Sequence, residues 1–208
     1  MDPKILTLYV IPDRRLGAPR SILEQTSAAL EGGATAIQLR DKELTARELT
    51  DLASRMTEMC REKGAKLFVN DRLDVALAAG ADGCHLGQSD LPLAAARKLA
   101  PRPFLLGRST RTVEQARIAL EEGADYLGVG AVYPTGTKDD ASVIGIEGLK
   151  AVVEFTSLPV VAIGGIGSSS VREVMATGAS GVAVVSAVVG TPDPTSSTVE
   201  LLKLTTKP

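Results

Sequence analysis

The chain of 208 residues has no tryptophan, three phenylalanines, three tyrosines and one histidine. So few rings leave no platform for stacking bases, and a formal charge of −2 gives no electrostatic surface for nucleic acid. The lone histidine, His85, excludes a metal site built on two imidazoles and argues against a Ser–His–Asp triad. On a strand by itself, it reads as a packed structural residue. The two cysteines, Cys60 and Cys84, form no C-x-x-C pair, so no thiolate zinc site is expected. They fit buried or half-buried thiols in a reducing compartment. No apolar run reaches the length of a membrane span. MDPKILTLYVIPDRR has neither the apolar core of a signal peptide nor a small-residue cleavage site. The expectation is a soluble, cytoplasmic protein with no nucleic-acid or membrane partner.

Two nucleotide signatures are also missing. The stretch GAVYPTGTKDD, residues 130–140, has the glycines, threonines and lysine of a phosphate loop, but five places after Gly130 stands Thr135. The G-x-x-x-x-G-K-[ST] spacing therefore fails. The first strand runs into IPDRRLGAP, which lacks the G-x-G-x-x-G of a dinucleotide fold.

What is present is a repeat. Gly33-Ala34-Thr35-Ala36-Ile37, Gly80-Ala81-Asp82-Gly83-Cys84, Gly123-Ala124-Asp125-Tyr126-Leu127 and Gly178-Ala179-Ser180-Gly181-Val182 each end a helical pattern and open a strand. Strands are predicted over 6–11, 36–40, 66–70, 83–86, 104–107, 126–130, 160–163 and 181–185. Helical periodicity lies between them, as over 45–63, 113–122 and 171–177. Thr45 with Glu48, and Thr112 with Gln115, have N-cap spacing. Eight alternating β/α units with no linker predict one domain over 1–208, a (β/α)₈ TIM barrel, ahead of an open doubly wound sheet.

In such a barrel the chemistry belongs at the C-terminal strand ends. In AIQLRDK, alternation directs Gln38, Arg40 and Lys42 to one side and Ile37 and Leu39 to the other. A ladder of amide, guanidinium and ammonium calls for an anion, unless Arg40 simply pairs with Asp41. Asn70 and Asp71 end strand three, and Asp90 follows strand four in HLGQSD. Such oxygen ligands suit Mg²⁺; either aspartate could instead cap the helix that follows it. Ser109 and Thr110 in GRST are phosphate-competent. Thr135, Thr137 and Lys138 hang on a Gly/Pro loop able to close over an anion, or to be ordinary surface. Gly164-Gly165-Ile166-Gly167 after strand seven, with Ser186 after strand eight, offers main-chain N–H groups to a phosphomonoester. Two anion sites result, one cationic and one neutral, in a site with few general bases. Two phosphorylated substrates, one carrying a pyrophosphate, fit them.

These motifs resemble the thiamine phosphate synthase family. QLRDK, VNDR, HLGQSD, GRST, YPTGTK, AIGGI and VVS stand in that family's order and spacing, over nearly the whole chain. The resemblance implies two phosphorylated heterocycles as substrates: a hydroxymethylpyrimidine pyrophosphate joined to a hydroxyethylthiazole phosphate, with release of pyrophosphate. It implies Mg²⁺ on Asp71 and Asp90. It implies Gln38, Arg40, Lys42, Asn70, Ser109 and Lys138 around the pyrimidine pyrophosphate. Of these, Arg40, Lys42, Ser109 and Lys138 are assigned to catalysis. It implies Thr135, Thr137, Gly165, Val185 and Ser186 around the thiazole phosphate. Leu39, Asp41 and Gly136, within the same motifs, complete the substrate-binding set.

Two positions depart from the family pattern. Arg111 stands where the family often has His, and Ala131 where Pro often precedes the YPT loop. Two alternatives share the barrel: a thiazole tautomerase, which the family resemblance ties to His at the position of Arg111, and a non-catalytic regulatory paralogue. The second predicts erosion of the clamp or of the aspartates, and neither is eroded.

Overall fold

The computed structural model describes residues 1–136 and 142–206. Eight parallel strands close into a barrel in sequence order. They are β1 Leu8–Val10, β2 Ala36–Leu39, β3 Lys66–Asn70, β4 Gly83–Leu86, β5 Leu105–Thr110, β6 Tyr126–Val129, β7 Val160–Ile163 and β8 Gly181–Val184. Among the described residues the helices are α1 Ile22–Glu31, α2 Ala46–Glu62, α3 Leu73–Ala78, α4 Leu93–Leu99, α5 Val113–Glu121, α6 Gly145–Phe155, α7 Val171–Ala176, α8 Ser186–Val189 and α9 Pro194–Thr205. The expected TIM barrel is the observed fold. Most strand ends fall within one residue of expectation, and two boundaries shift further. β1 starts later, because Pro3–Leu6 is a 3₁₀ turn capped by Asp2. β5 runs on past Gly107 to Thr110, paired with Val129 of β6.

Local chemistry explains the helix starts. Thr45 and Glu48 form a full capping box on α2, and Ser21 and Glu24 form another on α1. Thr112 caps α5 by accepting from the N–H of Gln115. Gln115 turns its own oxygen to the N–H of Arg111 at 2.7 Å, so that box is incomplete.

The repeat closes the barrel floor. Its glycines Gly33, Gly80, Gly123 and Gly178 all have positive φ, between 63° and 93°, which ends each helix at no steric cost. The third residue of each repeat then caps a strand start. Thr35 accepts from Leu8 N–H at 3.0 Å, Asp82 from Leu67 at 3.0 Å, Asp125 from Leu106 at 2.8 Å and Ser180 from Val160 at 3.3 Å. A polar third position thus satisfies strand-end donors that would otherwise lack partners.

Strand alternation separates two cores. Leu8, Val10, Ile37, Leu39, Leu67, Val69 and Cys84 pack outward against the helices. Tyr9, Ala36, Phe68, Tyr126, Val161 and Ala183 fill the interior. Phe68 lies 5.2 Å, centroid to centroid, from both Tyr9 and Tyr126. The interior fits these rings because their neighbours carry no side chain. A Cβ on Gly107 would lie 2.2 Å from Tyr126 Cζ, and one on Gly128 would lie 2.7 Å from His85 Cε1.

Candidate active site

The C-terminal mouth of the barrel gathers most of the residues expected there. Gln38, Asn70, His85 and Ser109 follow the inward parity of the rings beneath them, and Gln38, Asn70 and His85 are buried. Arg40 lies one residue past β2. Its Nε is enclosed and has no hydrogen-bond partner among the described residues. An enclosed guanidinium N–H without an acceptor costs about 1–3 kcal/mol.

The ladder does not extend to Lys42. β2 ends at Leu39, and Asp41 turns the chain by accepting from the N–H groups of Glu43 at 2.9 Å and Leu44 at 3.1 Å. Lys42 is therefore exposed on a turn. Asp41 pairs with Arg14 at 2.7 Å rather than with Arg40, and this pair ties the loop after β1 to the loop after β2. Burial alone would raise the Asp41 carboxyl. The Arg14 guanidinium and the two N–H groups outweigh it and hold Asp41 below the usual aspartate value. Leu39 sits in the outer core, so its side chain faces away from the mouth.

Asp71 and Asp90 stand at the ends of adjacent strands. Neither caps a helix: the N-cap residues of α3 and α4 are Arg72 and Pro92, without side-chain capping bonds. Asp90 Oδ2 accepts from Gly87 N–H at 2.6 Å. A Cβ on Gly87 would lie 2.9 Å from that oxygen, so glycine gives the carboxylate its place. Burial pushes the Cys84 thiol up, and the negative charges of Asp71 and Asp90 add to the effect. Asp74 adds to that effect as well. Two carboxylates with oxygen donors only are the protein share that Mg²⁺ takes when waters and phosphate oxygens supply the rest. No group of three or more His, Cys, Asp or Glu that could hold a metal occurs among the described residues.

On the far side of the mouth, the loop after β6 is anchored at both ends. Val132 N–H donates to Ile163 O at 2.9 Å, Tyr133 N–H to Gly164 O at 3.0 Å, and Ile144 N–H to Ala131 O at 2.9 Å. Gly164 and Gly165, at φ 102° and 65°, let the loop after β7 press against this stem. A Cβ on Gly165 would lie 2.6 Å from Pro134 O. This contact accounts for two glycines of AIGGIG by packing. Thr135 and exposed Gly136 follow the stem. Thr137 and Lys138 lie outside the described residues. Val185 is the N-cap of the short α8, and Ser186 begins it. First-turn N–H groups have no acceptor within their own helix.

From its place on a strand by itself, His85 reads as a packing residue. The structure threads it into a polar chain across the barrel. Gln38 Nε2 donates to Tyr9 Oη at 3.0 Å, and Tyr9 Oη lies 3.3 Å from Tyr126 Oη. Tyr126 Oη lies 3.0 Å from His85 Nδ1, and His85 Nε2 lies 2.9 Å from Ser109 Oγ. The signal was present in the inward parity of Tyr9, Tyr126 and His85 beside Gly107 and Gly128.

A closed parallel barrel with its polar side chains collected at the C-terminal face has the layout of a TIM-barrel enzyme. Residues 8–188 match the family model described as thiamine monophosphate synthase. A thiamine-phosphate synthase of Coprothermobacter proteolyticus is 52% identical over 199 residues, spanning 96% of this chain and 94% of that protein. One from Pyrococcus furiosus is 49% identical over the same length and shares. The solved structure of a thiamine phosphate pyrophosphorylase from Pyrococcus furiosus superposes with TM-score 0.91 at 48% identity, covering 98% of this chain and 96% of that one. The chain belongs to the thiamine-phosphate synthase family and is a transferase of thiamine biosynthesis.

Proposed function

We propose that this single-domain cytoplasmic enzyme joins hydroxymethylpyrimidine pyrophosphate to hydroxyethylthiazole phosphate. The observation that carries the reading is Arg40, whose enclosed Nε has no acceptor among the described residues. A guanidinium left without a protein acceptor at a barrel mouth is ready for phosphate oxygens. Gln38, Asn70 and Ser109 surround the same opening. With Arg40, Lys42 and Lys138, these side chains orient the pyrimidine pyrophosphate and balance its charge. Leu39 and Asp41 contribute through the main chain and through the turn that Asp41 holds.

Asp71 and Asp90 would hold Mg²⁺. The ion would offset negative charge on the pyrophosphate. The bond between the pyrimidine methylene carbon and the pyrophosphate oxygen breaks, and its electron pair leaves with pyrophosphate. The amino-substituted ring stabilises the resulting cation, and the thiazole nitrogen then attacks it. Thr135, Gly136, Thr137, Gly165, Val185 and Ser186 hold the thiazole phosphate, so the two reacting atoms meet already oriented. No strong general base is required, in keeping with a mouth that has one imidazole.

The test is a coupling assay with both heterocycles, in Mg²⁺ or in EDTA, following thiamine phosphate and pyrophosphate. Mg²⁺-dependent product is expected. The Asp90→Ala variant should lose that turnover and keep its affinity for the thiazole phosphate. Absence of product from the unmodified protein, with thiazole phosphate still bound, would overturn the reading.

A further inference from the structure

We propose that the buried Gln38–Tyr9–Tyr126 chain fixes His85 as the neutral Nε2–H tautomer, so that His85 donates to Ser109 and frees the serine proton for the substrate's anionic group. The inference deepens the reading above: it takes Ser109 to lie against the pyrophosphate.

The assignment follows from counting protons. Gln38 Nε2 is a donor only, so Tyr9 Oη accepts from it. Tyr9 has one proton left to give, and its other polar neighbour is Tyr126 Oη. Tyr126 then accepts from Tyr9, and its own proton goes to His85 Nδ1. An imidazole that accepts at Nδ1 carries its proton at Nε2, which faces Ser109 Oγ. Ser109 accepts that bond, and its hydroxyl proton is free to point into the mouth.

Reversing every bond would require the Gln38 amide to turn over and present its oxygen to Tyr9. Ser109 would then donate to His85 and have no proton for an anion. The direction of one buried amide thus decides whether the serine is a donor or an acceptor toward substrate. A site that must stabilise a departing pyrophosphate, with no serine nucleophile in the reaction, needs the donor. In this arrangement His85 is a positioning residue and acts through Ser109.

The chain is also a built feature. Its rings occupy space left by Gly107 and Gly128, where any Cβ would lie within 2.7 Å of Tyr126 or His85. Tyr9, Tyr126, Gln38 and His85 are all buried, so solvent does not compete for these protons.

The sole histidine makes the test direct. In protein labelled with ¹⁵N-histidine, the ring gives one set of proton–nitrogen correlations. The ligand-free protein at neutral pH should show a protonated Nε2 and an unprotonated Nδ1. Tyr126→Phe should abolish this single-tautomer pattern. The same substitution should lower kcat/KM for the pyrimidine pyrophosphate about tenfold, the scale of one hydrogen bond to a charged group. In a Ser109→Ala background, Tyr126→Phe should cost nothing further. An Nδ1–H tautomer or an imidazolium in the unmodified protein would overturn the proposal, as would additive losses in the double variant. The tautomer is read without substrate. An Nε2–H ring in a protein that forms no thiamine phosphate would therefore count against the synthase reading and leave the polarity of the chain standing.

Discussion

The main-chain N–H of Asp71 donates to the carbonyl of His85 at 2.9 Å and pins an aspartate at φ 64°. The next N–H, of Arg72, folds back to the carbonyl of Asn70 at 2.7 Å. A bond spanning one residue at positive φ is the rarer, strained form of γ-turn. Asp71 is the one described non-glycine residue with positive φ. Strain of about 1–3 kcal/mol persists where the surroundings enforce it, and functional sites are where it collects.

Asp71→Gly should therefore separate stability from activity. Glycine removes the Cβ penalty and adds chain entropy to the unfolded state, two terms of about 1 kcal/mol that oppose each other. Urea unfolding should show a stability within about 1 kcal/mol of the original. Turnover should fall by about 100-fold or more, as for loss of a charged group that stabilises the transition state. A loss of several kcal/mol would mean that the carboxylate supports the fold.

Asp125 should be important to the fold. Its carboxylate pairs with Arg97, accepts from Arg102 Nε at 3.1 Å and caps Leu106 N–H at 2.8 Å. The Asp125 side chain is 7% exposed and that of Arg97 16%. Arg97 also holds the carbonyls of Ala100, Phe104 and Gly123 and so fastens the entry to β5. Asp125→Ala leaves an enclosed guanidinium without its counter-charge. A destabilisation of about 3–5 kcal/mol is expected from chemical unfolding. A loss under about 1 kcal/mol would show that the floor closes without this pair.

Acid should loosen the mouth through Asp41. Its folded carboxyl lies below the ordinary aspartate value, held there against burial by Arg14 and two N–H groups. A depressed acid contributes its stability in full above about pH 3.9, the unfolded value. It loses that stability as pH falls through the lower folded value. Asp41→Asn removes the titrating group. Urea midpoints measured from pH 5 downward should fall less steeply in the variant than in the parent. Parallel curves would remove Asp41 from the acid response.

The fold was legible because its signals are local and repeated. The positive-φ glycine, the polar third residue and the apolar run occur four times, and each copy predicts the same turn from helix to strand. The site was legible where parity holds, as at Gln38, and misread where a side chain bends the chain. Asp41 stops β2 by bonding Glu43 and Leu44, so alternation did not carry to Lys42. The His85 chain joins residues 117 positions apart between Tyr9 and Tyr126, and no local pattern reports such a contact. Parity gave the direction of each side chain and left its partner to the closure of the barrel.

Closure also sets how the tyrosines respond to base. Burial raises Tyr9 and Tyr126 well above the ordinary phenol value, and the bond from Gln38 only partly offsets this at Tyr9. Tyr133, on the loop after β6, is raised by burial and by its bond to Glu173 at 2.8 Å, but it is half-exposed. With no tryptophan and three tyrosines in the chain, the tyrosinate absorbance reports these groups alone. In the folded protein one tyrosine, Tyr133, should titrate, somewhat above pH 10. The other two should stay neutral until the barrel opens. The unfolded chain releases both protons near pH 10 while the folded chain keeps them, so their stabilisation is complete below that value and is lost above it. The slope is about 1.4 kcal/mol per pH unit for each buried tyrosine. The last two-thirds of the absorbance change should therefore coincide with loss of helical circular dichroism. Three tyrosines titrating together in a protein that keeps its helices would mean that the interior is open to hydroxide, and the polar chain beneath Ser109 could not then hold a single direction.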